Sequence, residues 1–263
     1  MSSKTTRVDQ LFSQAAGQGN IPQDSLQALH DLGAEIEQAM GISVDDVNAS
    51  EVFLLMMEDD DSTSIRMNGN TQHVRDGHNL VLDSTAESAS GDDVLVHTAY
   101  LNAGTLHGYV PLGQAPRLTA KNYNPSGYTP LYDCTLKVLG AVLAKEQEFA
   151  NQGVPVRTVT VITTDGADKG SMFTPSDVAK LVRSMLAREN HIVAFVGIDD
   201  GETNFRDIAK QMGVPDEWIL TPGSDKHSIR QAFGLVSKAS KSAAQGTQSF
   251  SSTAKQGFDA GIN

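Results

Sequence analysis

The chain alternates short, continuously apolar runs with segments of helical period, and this alternation limits its fold more than any other feature. Residues 52–57 are apolar at every position, as a strand buried on both faces must be. Comparable strand-like runs cover residues 156–164, 191–198 and 218–220, and helical patterns cover 130–151, 175–189, 205–212 and 224–238. A further helical stretch lies around residues 74–88. Residues 94–101 and 105–111, parted only by Asn102, Ala103 and Gly104, read as a hairpin that contributes one antiparallel strand. The pattern predicts an α/β fold: a Rossmann-like open, mostly parallel sheet with one antiparallel strand and helices on both faces.

Three zones follow from composition. Residues 1–47 form an N-terminal helical extension, with Pro22 at a first turn, Leu26, Leu29, Ile36 and Met40 at helical spacing, and Gly41 as a stop. Residues 48–240 carry the alternating strands and helices of the main domain. Residues 241–263 are rich in Ser, Ala, Gln, Gly and Thr, and too few large apolar residues remain there to offset the entropy of ordering, so a flexible tail is expected. Phe250 and Phe258 are its only aromatic side chains.

Charge and cysteine content narrow the function classes. The 263 residues carry a formal charge of −12, which disfavours a sequence-independent grip on nucleic-acid phosphate or anionic lipid. Aromatic residues make up 6%, too few for a base-stacking platform. The longest apolar run, residues 192–198, is far short of the roughly 20 residues of a membrane-spanning helix, and the polar start resembles no signal segment. The one cysteine, Cys134, excludes an internal disulfide and a cysteine-built metal site, and is expected as a small buried hydrophobe. A cytoplasmic protein with no nucleic-acid or membrane partner is the expectation.

Chemistry concentrates at the ends of the predicted strands. The first ends in Glu58-Asp59-Asp60-Asp61-Ser62-Thr63-Ser64, and ligands of open α/β sheets gather beyond such carboxyl ends. Alone, Asp60-x-Ser62-x-Ser64 also describes a solvated turn or a helix cap. Two further segments change its meaning: Gly127-Tyr128-Thr129-Pro130-Leu131-Tyr132-Asp133, which leads into a helix, and Asp165-Gly166, which ends the next strand. Together they offer two carboxylates and three hydroxyls. These are hard oxygen ligands, suited to a small dication such as Mg2+, which takes six of them at about 2.1 Å.

In their order, these three motifs resemble the metal-ion-dependent adhesion site of the von Willebrand factor A domain family, with the hairpin where that fold has its antiparallel strand. The resemblance covers residues 48–240 and implies a von Willebrand factor A fold with Mg2+, or Mn2+ or Ca2+ in its place. It implies that Ser62, Ser64 and Thr129 contact the ion directly, and that Asp60 and Asp165 do so directly or through water. It further implies a non-enzymatic adaptor whose protein partner supplies an Asp or Glu carboxylate to the metal. The intracellular bacterial branch of the family, associated with tellurite resistance, the stress response or AAA+ ATPases, is the type it resembles. Glu58 and Asp59 depart from the apolar strand end usual in the family, and a bent strand end that solvates them is expected; Thr63 stands where a small residue is common. Asp199-Asp200-Gly201 reads as a loop with a helix cap. The alternative is a Mg2+-dependent haloacid-dehalogenase-like phosphatase, because Asp59-x-Asp61-x-Thr63 also fits that pattern, with Asp59 as nucleophile, Asp61 as general acid and Asp199 or Asp200 as a metal ligand.

Overall fold

The computed structural model describes residues 6–87 and 93–258. Three short helices open the chain: α1 (Arg7–Gly17), α2 (Leu26–Asp31) and α3 (Gly33–Ala39). Thr6 and Asp9 start α1 by bonding each other's backbone N–H groups, a reciprocal cap that satisfies two otherwise orphaned donors. Strand β1 (Val52–Asp59) follows, then α4 (Thr63–Met67), α5 (Thr71–Ala86), and the hairpin strands β2 (Val94–Tyr100) and β3 (Gly104–Pro111). The long α6 (Leu131–Ala150) leads into β4 (Val156–Thr164), α7 (Pro175–Leu186), β5 (His191–Gly197), α8 (Phe205–Gln211) and the two-residue β6 (Ile219–Leu220). Helices α9 (Lys226–Ala244) and α10 (Thr247–Gln256) close the chain.

The six strands form one sheet in the order β3-β2-β1-β4-β5-β6, parallel except for β3. This is the expected architecture. Every residue of β1, β2, β4 and β5 is buried, which accounts for their largely apolar and β-branched composition. Successive side chains alternate between the faces, so Glu58 on β1 meets Thr135 of α6 while Asp59 meets His78 of α5. The chain moves from β1 to β2 on one side and later to β4 on the other, so the sheet's topological switch point lies between β1 and β4. Crevices of this kind receive ligands in open α/β sheets.

Helices α1–α3 are docked against α6 and β3. Gly140 of α6 makes room for them: a Cβ there would lie 2.7 Å from Ile36 Cδ1 and 2.9 Å from Leu29 Cδ2. Gly41 adopts a left-handed φ of 61° in close backbone contact with Tyr109, where a side chain has no space. Beneath the docked helices Lys145 is buried, bonding the Ile42 carbonyl and the Glu148 carboxylate at 2.8 Å. A second glycine contact joins α5 to α9, where a Cβ on Gly77 would fall 2.2 Å from the Phe233 ring.

The C-terminal zone departs from expectation. Helix α9 runs six residues past the predicted 238, and residues 247–256 form α10; residues 259–263 lie outside the described part of the chain. Few large side chains are needed because small ones let the helices approach: Thr253 Oγ1 donates to Ser242 Oγ at 2.7 Å. Phe250 is buried under the Arg157 guanidinium, 5.8 Å from its ring centroid, and Arg157 also bonds the Ala243 carbonyl. Phe258 stacks edge-on against Trp218 at 4.9 Å. Two aromatic anchors hold a segment whose composition suggested none. Among the described residues no helix is long and apolar enough to cross a membrane.

Truncating Phe250→Ala is therefore expected to cost about 3–5 kcal/mol. A urea melt indistinguishable from that of the parent would show that the helix does not pack as described. A second expectation concerns acid. Burial alone would raise the Glu146 carboxyl, but His191, Arg188 and Asn190 around it hold it down to about 2 from 4.5. A depressed carboxyl contributes stability above its unfolded value and loses it as pH falls, so the contribution is complete above about pH 4.5 and fades toward pH 2. Glu146→Gln should lower stability at neutral pH by on the order of 2 kcal/mol, and its deficit should shrink across that acid window. A deficit that stays constant with pH contradicts this assignment.

Candidate functional site

The site is built by three loops at the carboxyl edge of the sheet, on either side of the switch point. Strand β1 ends at Asp59, in register with Thr163 of β4 and Tyr100 of β2, so Asp60 leaves the sheet directly beside the end of β4. Its backbone N–H still bonds the Thr163 carbonyl at 3.0 Å. The Asp60 carboxylate turns back over the loop: Oδ1 accepts from the Ser62 N–H at 2.7 Å, and Oδ2 from Thr164 Oγ1 at 2.7 Å and the Asp165 N–H at 3.4 Å. The Ser62 and Ser64 hydroxyls are 2.7 Å apart. Asp165 Oδ2 accepts from Asn70 Nδ2 at 3.0 Å and Asn68 Nδ2 at 3.3 Å, whereas its buried Oδ1 has no partner.

Thr129 arrives from the second loop. Its carbonyl accepts from the N–H groups of Leu131 and Lys169, both at 2.8 Å, which fixes it against the loop after β4. Gly166 shows how closely the hydroxyls approach: a Cβ there would lie 3.3 Å from Ser64 Oγ and 3.4 Å from Thr129 Oγ1. The structure thus brings Asp60, Ser62, Ser64, Thr129 and Asp165 together, all but Ser64 buried. Among the described residues no three His, Cys, Asp or Glu side chains gather as metal ligands; three of the five side chains in this cluster are hydroxyls.

Electrostatics set the cluster apart from an ordinary capped turn. Burial pushes the Asp60 carboxyl up to about 6, against the hydrogen bonds from Ser62 and Thr164, and the nearby Asp165 adds to the rise. Asp165 is also raised, chiefly by burial and further by Asp200, while Ser64, Asn70 and Asn68 oppose the rise. Two buried carboxylates, Asp60 and Asp165, lie close enough to repel one another. A bare Asp165 oxygen among hard donors fits a small dication, which would remove the repulsion.

Sequence reading missed the supports of the second loop. Asp61 is not a ligand-like group: its carboxylate accepts from the Asn102 N–H at 2.7 Å, Asn102 Nδ2 at 3.1 Å and the Ala103 N–H at 3.1 Å, which ties the β2–β3 turn to the site. Asn102 in turn exchanges bonds with the Tyr128 backbone, at 2.5 Å and 2.9 Å. Thr63, unusual in its place, bonds Gly127 through both backbone and hydroxyl. Only the short connection between the hairpin strands hinted at Asn102.

Glu58 and Asp59 require a correction. The strand keeps its pairing register on both sides through Asp59, and both residues are fully buried rather than solvated. Glu58 rests on the Thr135 hydroxyl, and burial raises its carboxyl to about 8; Asp59 Oδ2 is 2.7 Å from His78 Nδ1. The phosphatase geometry is not present: Asp59 is sealed against α5 and Asp61 is consumed in capping a turn. Asp199 and Asp200 bond the backbone of their own loop. Cys134 is buried on α6 as expected, its thiol directed to the Tyr100 carbonyl at 3.3 Å.

No protein-family model matches the chain, and no curated protein matches it. Solved structures do. The von Willebrand factor domain of the type V pili tip protein Mfa5 from Porphyromonas gingivalis superposes with a TM-score of 0.53 at 9% identity, over 76% of this chain and 98% of that one. The pilus adhesin SpaC from Lactobacillus rhamnosus GG gives 0.51 at 12% identity over 74% of this chain, which spans only 31% of SpaC. At such identities the likeness is one of fold. The chain has the α/β fold of von Willebrand factor A domains.

Removing the Asp61 carboxylate leaves two backbone N–H groups and an amide without their acceptor. Asp61→Ala is expected to cost about 2 kcal/mol or more in chemical denaturation. A cost near zero would mean that water replaces Asp61 and that the hairpin turn is not tied to the site.

Proposed function

We propose that the chain is a non-enzymatic protein-binding module that holds a dication, Mg2+ in the first instance, and captures an acidic side chain of a protein partner. The observation that carries this reading is the convergence of five oxygen-bearing side chains on the switch point, with Asp165 Oδ1 buried and unpartnered among them. Asp60, Ser62, Ser64, Thr129 and Asp165 are the residues that would hold the ion. A bound dication would supply a positive point to which an outside carboxylate can bind. The protein's own residues prepare that point: Asp60 orders the Ser62 turn, Asn68 and Asn70 orient Asp165, and Asn102 holds the Thr129 loop.

The finer reading follows the sequence resemblance: a cytoplasmic adaptor of the bacterial intracellular type, in a stress response or with an AAA+ ATPase as partner. The buried, unpaired Cys134 accords with a reducing compartment.

Ion binding to the folded form should raise the melting midpoint, with a gain of about 2.7 kcal/mol at a hundredfold excess over Kd. Midpoints measured in magnesium, in manganese and in chelator should separate for the parent protein and coincide for Asp165→Asn. Asn102→Ala, which touches none of the five oxygens, should weaken ion affinity about tenfold by loosening the Thr129 loop. A parent midpoint that ignores both ions removes the proposal.

A further inference from the structure

Large hydrophobic side chains are exposed at three places among the described residues, and all three frame the oxygen cluster. Met67 is 78% exposed, Tyr128 66% and Met172 82%. Each belongs to a different loop of the site. Met67 ends α4 and precedes Asn68, which bonds Asp165. Tyr128 precedes Thr129. Met172 follows β4, and its N–H donates to both Asp133 carboxylate oxygens, at 2.9 Å and 3.0 Å, which pins it to the first turn of α6 just beyond Thr129. Scattered single hydrophobics on a protein surface need no explanation, but concentration around one site does.

From this arrangement we infer a composite docking surface: an apolar rim of Met67, Tyr128 and Met172 around the acid-accepting point. Its occupant is a protein segment in which an Asp or Glu is flanked by large apolar side chains. The inference rests on the metal-dependent reading above and adds the chemistry of the neighbours. Charge complementarity selects the acid. The chain carries a net charge of −12, so an acidic segment is repelled over most of its surface, yet here the Lys169 ammonium sits 5.6 Å over the Tyr128 ring beside the cluster. The rim selects the flanks. Methionine is unbranched and polarizable, so two of them around a tyrosine form a surface that adapts to varied apolar side chains rather than to one shape.

Immobilised synthetic peptides test it, each with one central Asp or Glu between either Leu, Phe and Met or Ser, Gln and Gly, probed with the full chain in magnesium and in chelator. Retention should require the acid, the magnesium and the apolar flanks together. The double variant Met67→Ser, Met172→Ser, altered only at exposed positions, should lose the apolar preference about tenfold while its magnesium-dependent melting shift persists. Equal retention of apolar-flanked and polar-flanked acids overturns the rim but leaves the metal reading standing. Equal retention in chelator, or of peptides with Asn or Gln in place of the acid, overturns both. If no peptide is retained, the rim is overturned, and the melting shift alone decides the metal reading.

Discussion

Asp60 and Asp165 are buried side by side at the ends of two fully buried strands, β1 and β4, and the loops around them are arranged to make that tolerable. A carboxylate removed from water must be hydrogen-bonded or paired, or it becomes protonated. Asp60 is met by the Ser62 N–H, the Thr164 hydroxyl and the Asp165 N–H, whereas Asp165 receives two asparagine amides on one oxygen and nothing on the other. This asymmetry, one oxygen satisfied and one bare, is the feature on which the proposed cation reading rests. Parallel pairing of β1 with β4 imposes the juxtaposition, since the register that aligns Asp59 with Thr163 leaves the next residues of both strands adjacent.

The second loop depends on the first through polar ties rather than packing. Asp61 holds the hairpin turn, Asn102 in that turn holds Tyr128, and Thr63 holds Gly127. Thr129 is thus positioned from behind by the β2–β3 turn and from the front by Lys169. A consecutive acidic run, residues 58–61, therefore divides its work by the alternation of the strand and the turn that follows. Glu58 and Asp59 point to opposite faces of the sheet, Asp60 orders the cluster and Asp61 braces the hairpin.

The mostly parallel sheet with its one antiparallel strand, and the gathering of Asp60, Ser62, Ser64, Thr129 and Asp165 at one edge of it, were legible because their signals are local. A short apolar run such as 52–57, bounded by polar residues, suits a strand buried on both faces, and the carboxyl ends of parallel strands fall on one edge of the sheet whatever their separation in sequence. Long-range partners were not. Nothing near Asn102 announces that its amide bonds a residue 26 positions away, and nothing near Asp59 announces His78 on the following helix. The solvation expected for Glu58 and Asp59 failed because charge was weighed above strand continuity. In the tail from Lys241, Phe250 and Phe258 stood out as the only aromatic residues, but their buried partners, Arg157 and Trp218, lie far away in sequence and left no local signal.

The Phe233 ring lodged over Gly77 has a mechanical consequence for α9. With the ring filling a notch that no Cβ could share, α9 is keyed to α5, and sliding it along its neighbour would bring the ring against residues that carry a Cβ. Its far end continues into α10, moored by Phe250 beneath Arg157. The helix is therefore keyed to α5 through Phe233 and held, through α10, against Arg157 of β4.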